Sequence, residues 1–178
     1  HRLFLTGFAA YDRMELIVPD ADMGSPEVNA ATDEVSLELQ FSRFILGYDG
    51  QLGDKVSDEL RLSAGRDANS ARILGNFRFE GNGPIYNLRN DLAVSWLPDL
   101  TTHLGTDLIF APFDYNVKAN GYPESKLDNK DFSDIGNYFN LEWRPLPDLL
   151  VTPGIRHDYY HHLDKAKTSL RAAARWDY

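Results

Sequence analysis

Apolar and polar residues alternate along most of this 178-residue chain. In residues 35–42, for example, Val35, Leu37, Leu39 and Phe41 are separated by polar residues. The same period of two recurs in residues 86–96, 104–110, 135–144, 151–159 and 170–178. Successive side chains of a β-strand point to opposite faces of its sheet. The pattern therefore predicts an all-β fold of antiparallel strands, each with one apolar face.

About eight strands are expected, within a single unit that covers residues 1–178. Two of them change phase, near Ser42-Arg43 and at Gly81–Pro84, and a β-bulge at each place would restore one apolar face. Residues 67–71 are then expected at the tip of a hairpin. The predicted strands are 2–18, 35–51, 56–66, 72–96, 101–111, 134–144, 149–160 and 168–178.

The connections differ in length at the two ends of these strands. Short, Pro-containing turns follow Trp96 and Trp143, whereas 19–34 and 111–133 are long, polar and rich in Asp, Asn, Gly and Pro. Short periplasmic turns and long outer loops are typical of outer-membrane barrels, and Trp suits the membrane interface. The pattern favours an antiparallel transmembrane β-barrel. Its expected lipid-facing residues are Leu88, Leu92, Val94, Trp96, Leu141, Trp143, Val151, Ile155, Leu170 and Ala172.

Composition narrows the function classes. The chain has 27 acidic and 18 basic side chains, a balance that argues against binding to nucleic acid. It has no cysteine, which suits an oxidising compartment. It has no apolar run of about 18 residues and hence no expected transmembrane helix. The chain opens at His1 without a signal peptide, so we expect a processed protein or a segment of a longer one.

The last fifth of the chain carries a family resemblance. Trp143-Arg144-Pro145 is followed by Pro153-Gly154-Ile155-Arg156-His157-Asp158-Tyr159 and then by the Arg-containing strand at 169–178. This order resembles the barrel of TonB-dependent outer-membrane receptors, and Thr106-Asp107-Leu108 resembles another of their strands. The resemblance implies part of a larger barrel in the bacterial outer membrane, in contact with lipid. Such a receptor takes up a bulky scarce nutrient, such as a ferric chelate or cobalamin, with energy from a TonB-type coupling protein. The 22-stranded barrel and plug domain of a complete receptor do not fit in 178 residues.

Charged residues on the polar faces form the candidate site, here called the polar wall. Opposite charges on adjacent strands can pair, and the resemblance implies a polar wall around the lumen. Structural pairing and direct contact with a substrate both remain open. The polar wall consists of Arg89, Asp91, His103, Asp107, Arg156, Asp158, Arg171, Arg175 and Asp177.

Other chemistry is weakly indicated. His157, Asp158 and His161 could ligate a metal, but two residues four apart on a strand lie about 13 Å from each other. The oxygen-rich stretches at 20–24 and 128–131 lack the terminal Glu of a calcium loop. No Gly-x-Ser-x-Gly motif occurs. We therefore expect no enzyme, no metal and no cofactor.

Two alternatives share the strand pattern. The first is a complete small barrel of eight strands, acting as an anchor, an adhesin or a narrow pore. The second is a soluble β-sandwich that binds a ligand, in which the apolar faces of two sheets would pack together.

Overall fold

The computed structural model describes residues 1–17, 34–73 and 76–177, and these form one antiparallel sheet. The only described helical element is a single 3-10 turn, His161–Leu163. The predicted all-β, antiparallel fold is therefore confirmed. The strands are β1 (Arg2–Ile17), β2 (Glu34–Gln51), β3 (Val56–Ile73), β4 (Phe77–Leu97), β5 (Leu100–Phe110), β6 (Pro112–Ala119), β7 (Ser125–Asp131), β8 (Asp134–Leu146), β9 (Leu149–Tyr160) and β10 (Lys165–Trp176).

The sheet is open. Its strands follow the order β1-β2-β3-β4-β5-β8-β9-β10, with β6 added beside β4 and β7 beside β6. Each sequential neighbour is antiparallel. Within the described ranges β1 pairs only with β2, and β10 pairs only with β9. The strands of this chain are thus not closed into a barrel by themselves.

The prediction of a long loop at 111–133 was wrong, because these residues form β6, β7 and the turn between them. On β4, β6 keeps the register of β5, since Tyr86 pairs with Phe110 and Asn82 with Asp114. Pro112 at the interruption has no backbone N–H for the ladder. The ten strands therefore follow eight antiparallel paths, and 111–133 is the upper part of a long hairpin.

The predicted hairpin tip and bulges were also wrong. Strand β3 continues through 67–71 to Ile73, and it pairs with β4 without a register shift from Ile73–Phe77 to Val56–Val94. Strand β2 likewise pairs without a shift through Ser42-Arg43. The two strands stay regular because their neighbours pair with them residue by residue through these segments. The apolar side chains instead change faces along regular strands.

Two ends of the sheet can now be distinguished. Turns 52–55, 98–99 and 147–148 lie at one end, the near end, as predicted for the two turns that follow Trp96 and Trp143. Asn76 and the turns 120–124 and 161–164 lie at the other, the far end. The predicted loop 19–34 lies almost wholly outside the described residues. We call the halves of the strands toward these ends the near half and the far half.

One face of the near half is largely apolar, and we name it the Leu92 face; Asp58 and Asn90, joined by a hydrogen bond of 2.6 Å, are polar residues within it. Directly paired residues share a face, so Leu92, Leu104, Phe139, Ile155 and Leu170 form one row across β4, β5, β8, β9 and β10. All ten residues predicted to face lipid lie on this face. No hydrophobic side chain is buried anywhere in the described part of the chain. The sheet therefore presents this surface without a second layer.

The far half has the opposite polarity. On β2, β3 and β4 its Leu92 face carries residues such as Glu38, Arg66, Glu80 and Asn82. The reverse side, which we name the Arg89 face, is apolar there and aromatic. Its far-half residues include Leu37, Leu39, Phe41, Phe77, Phe79, Phe113, Tyr115 and Val117.

Candidate functional site

The near half of the Arg89 face brings six residues of the polar wall together. They come from β4, β5 and β9, with β8 lying between β5 and β9. Arg89 pairs directly with Asp107, and Gly136 of β8 lies between Asp107 and Asp158. The joined residues are Arg89, Asp91, His103, Asp107, Arg156 and Asp158.

Asp91 is the acceptor at the centre of the first half of this cluster. His103 donates to Asp91 Oδ1 through Nδ1 at 2.9 Å, and the Tyr138 hydroxyl donates to Oδ2 at 2.6 Å. The other ring nitrogen of His103 lies 3.7 Å from Oε1 of Glu142. One carboxylate therefore fixes an imidazole and a phenol from two other strands.

Arg156 is the centre of the second half. Its Nη1 donates to Asp107 at 2.6 Å and its Nε donates to Asp158 at 2.7 Å. The Arg156 side chain is only 19% exposed. Arg89 differs, because it is 64% exposed and its Nε is 3.7 Å from Asp107. The cluster thus contains one guanidinium held by two carboxylates and one that is open to solvent.

Two glycines make room for these side chains. A Cβ at Gly105 would lie 1.9 Å from the ring of Tyr138, and a Cβ at Gly136 would lie 2.2 Å from the guanidinium of Arg156. Glycine in a strand permits such close approach, at some cost in strand stability. The large side chains can therefore lie flat across their neighbours.

On β2 and β3 the Arg89 face carries further ion pairs, whose residues are not members of the predicted polar wall. Arg43 donates to both carboxylate oxygens of Asp67, at 2.7 and 2.9 Å. Arg61 pairs with Asp49 and lies 3.4 Å from Glu59. Tyr138 and Glu142 were missed as well. Their even positions on β8, shared with Gly136, were the signal that could have found them.

Three residues of the polar wall lie apart from the cluster. Arg171 is on the same face of β10, opposite Gly154 of β9. Arg175 pairs with Asp177 near the end of the described chain, at 3.1 Å. These three therefore belong to the sheet edge and not to the connected cluster.

The histidines weighed as metal ligands lie apart. Nδ1 of His157 is 2.9 Å from the Thr168 hydroxyl, whereas His161 lies in the 3-10 turn. No group of three His, Cys, Asp or Glu residues suited to a metal occurs in the described ranges. Residues 20–24 are outside those ranges, and 128–131 lie in β7.

Comparisons with known proteins add no relative. No family model, no curated protein and no solved structure matches the chain. Throughout residues 1–17, 34–73 and 76–177, no helix is both long and apolar enough to span a membrane. The geometry of the site is therefore the only guide to its chemistry. Charged side chains pair with one another on the Arg89 face, and the opposite face of the sheet is largely apolar there.

Proposed function

We propose that the chain forms an arc of the wall of an outer-membrane β-barrel, with the Leu92 face toward lipid and the Arg89 face toward the lumen. The observation that carries the proposal is the bounded apolar band on one face of a single-layer sheet. A soluble protein would cover such a surface, because exposed contiguous apolar area is costly in water.

The height of the band fits a membrane. On β4 it extends from Tyr86 to Trp96, about ten residues at roughly 3.3 Å each. With a strand tilt near 40°, this length spans about 25 Å, the height of the apolar band in outer-membrane barrels. Beyond Tyr86 the same face becomes polar, as expected where strands leave the hydrocarbon region.

Aromatic residues lie at both borders of the band. All three tryptophans of the chain, Trp96, Trp143 and Trp176, are on the Leu92 face at the near end. The Trp96 indole donates to the Thr102 hydroxyl at 3.0 Å. At the other border, Tyr86 and Phe110 stack at 6.1 Å. Such girdles are typical of barrel–lipid interfaces.

The more specific proposal is a TonB-dependent receptor that takes up a bulky scarce nutrient, such as a ferric chelate or cobalamin. It rests on the resemblance at residues 143–178 and on the charged cluster of the Arg89 face. In this proposal the paired charges line the lumen, where they remain hydrated because they do not contact lipid. The protein performs no covalent chemistry. A TonB-type protein supplies the energy through the rest of the receptor.

Two features favour this proposal over its alternatives. The sheet is open at β1 and β10, which fits an arc of a larger barrel better than a complete barrel of eight strands. The described sheet has no second layer, which disfavours a β-sandwich.

Spin labels test the orientation. In lipid vesicles, labels at Leu92 and Leu141 should respond to lipid-soluble oxygen, and labels at Arg89 and Glu142 to a water-soluble quencher. A label at Asn82 is the control, because it lies on the Leu92 face but above the band; it should respond to the water-soluble quencher. Water access at Leu92 and oxygen access at Arg89 would overturn the proposed orientation.

Cysteine pairs test the size of the barrel, since the chain contains no cysteine. Leu5→Cys on β1 is combined in turn with Thr168→Cys, Leu170→Cys and Ala172→Cys on β10. We expect no intramolecular disulfide in the membrane-inserted chain. Efficient bridging of one pair would instead show closure into a small barrel.

A further inference from the structure

Three cationic residues lie directly opposite one another at the far end of the sheet. Arg72 of β3 pairs with Arg78 of β4, and Arg78 pairs with Lys118 of β6. Directly paired residues have their side chains on the same face, which here is the Leu92 face. We call these three residues the cationic row.

The cationic row is unfavourable on its own. Like charges directly opposite each other on adjacent strands destabilise a sheet. Arg78 has a partial counter-charge, because its Nε donates to Glu80 at 2.8 Å. The pKa of the Glu124 carboxyl group is lowered chiefly by a hydrogen bond with Asn116 and by the charge of Lys126, and Lys118 contributes least to that lowering. The Arg72 side chain forms no hydrogen bond or ion pair with any described residue. The row therefore retains positive charge.

A cavity lies at the cationic row. It is open to solvent and has a volume of about 330 Å³, and its lining consists of Arg72, Asn76, Phe77, Arg78, Lys118 and Asn120. Asn76 and Asn120 are held together, since the Asn120 amide group donates to the Asn76 side-chain oxygen and its backbone N–H donates to the Asn76 carbonyl at 2.8 Å. This pair of hydrogen bonds joins the residue that precedes β4 to the residue that follows β6. The three cations thus line one pocket together with a hydrogen-bonded pair of asparagines.

We propose that the cationic row binds a phosphate-class anion through Arg72, Arg78 and Lys118. Two guanidinium groups can each offer parallel N–H donors to phosphate oxygens, and the Lys118 ammonium adds a point charge. A ligand with two or more negative charges would attract all three cations and so offset the repulsion between them. The site lies on the opposite face from the polar wall, so it is separate from the proposed lumen.

Distance favours a soluble phosphorylated molecule over a membrane lipid. Arg78 precedes Tyr86, the upper border of the apolar band, by eight residues, or roughly 26 Å of strand. An ordinary phospholipid headgroup at that border does not extend so far. The proposal itself does not depend on membrane insertion, because the cationic row is formed by strand register alone.

Thermal unfolding of the full chain in neutral detergent tests the site, with β-sheet circular dichroism as the signal. Sodium pyrophosphate should raise the Tm, because a ligand of the folded state stabilises it. Sodium chloride at the same ionic strength should not reproduce the rise. The double variant R72Q/K118Q should weaken the apparent pyrophosphate affinity by at least roughly tenfold.

Arg66→Gln is the control for loss of positive charge elsewhere on this face. It removes one positive charge from the same face of β3, whereas the double variant removes two, and Arg66 lies six residues below the row and donates to Asn82 at 2.7 Å. R66Q should keep the pyrophosphate response. The proposal would be overturned by no response of the unmodified chain, or by equal losses in R66Q and R72Q/K118Q. If micelles doped with phosphatidic acid raised the Tm and pyrophosphate did not, the assignment to a soluble anion would be wrong. Failure of the spin-label test alone would leave this site standing.

Discussion

The near and far halves of the same strands differ in which face of the sheet is apolar. On β4, Leu88, Leu92 and Trp96 make the Leu92 face apolar in the near half, whereas Arg78 and Glu80 make the same face polar in the far half. No bulge separates the halves. A regular strand can therefore serve two environments in succession, which is what a strand requires when it crosses a membrane and continues beyond it.

The charges of the two halves differ in the same way. In the near half the Arg89 face pairs its charges across strands, with Arg156 held by Asp107 and Asp158. In the far half that face is aromatic, with ring centroids of Phe113 and Tyr115 4.9 Å apart. The comparison predicts that the same substitution will reduce stability strongly in one half and little in the other.

The largest expected effect is that of Leu92→Arg. An arginine on the lipid face near the bilayer midplane costs about 2–4 kcal/mol, so the free energy of unfolding in lipid vesicles should fall by that amount. Asn82→Arg places the same residue on the same face of β4 in the far half. It should change the free energy little, and an equal loss would remove the distinction between the halves.

Arg156→Gln should have the next largest effect. It removes the guanidinium that two partly buried carboxylates share and leaves Asp107 only the more distant Arg89, at a cost of about 1.5–3 kcal/mol. Denaturant titration in detergent measures the loss. The control is Arg171→Gln, on the same face of the edge strand, which should cost less than about 0.5 kcal/mol. Similar costs for the two variants would show that the cluster contributes no more than an exposed charge.

Phe113→Leu should have the smallest effect. It keeps an apolar side chain but removes the ring contact with Tyr115, worth about 0.5–1.5 kcal/mol. The same denaturant titration applies. Tyr122→Leu, at the exposed far-end turn, should be neutral. A larger loss at Tyr122 than at Phe113 would contradict aromatic packing on this face.

Local alternation was sufficient to predict most of the strands. The period of two at 86–96 or 135–144 depends only on side chains pointing alternately to two faces, and directly paired partners confirmed those faces. The short turns after Trp96 and Trp143 were also predicted at one end. For the same reason, six members of the polar wall proved to lie on one face. Odd and even positions along a strand assign side chains to a face without any knowledge of how the strands pair.

What only the tertiary structure decided is the register between strands. Residues 111–133 look like a loop because Asp, Asn, Gly and Pro dominate them, yet β4 offers β6 a ladder in register with β5. The phase changes near Ser42 and Gly81 look like bulges when a single strand is considered. Because each of these strands pairs with both neighbours, regular geometry costs less free energy than a bulge that leaves a residue unpaired. The strand therefore stays regular, and its apolar side chains change from one face to the other. The contacts of Tyr138 with Asp91, and the cationic row of Arg72, Arg78 and Lys118, depend on that register because their members are far apart in the chain.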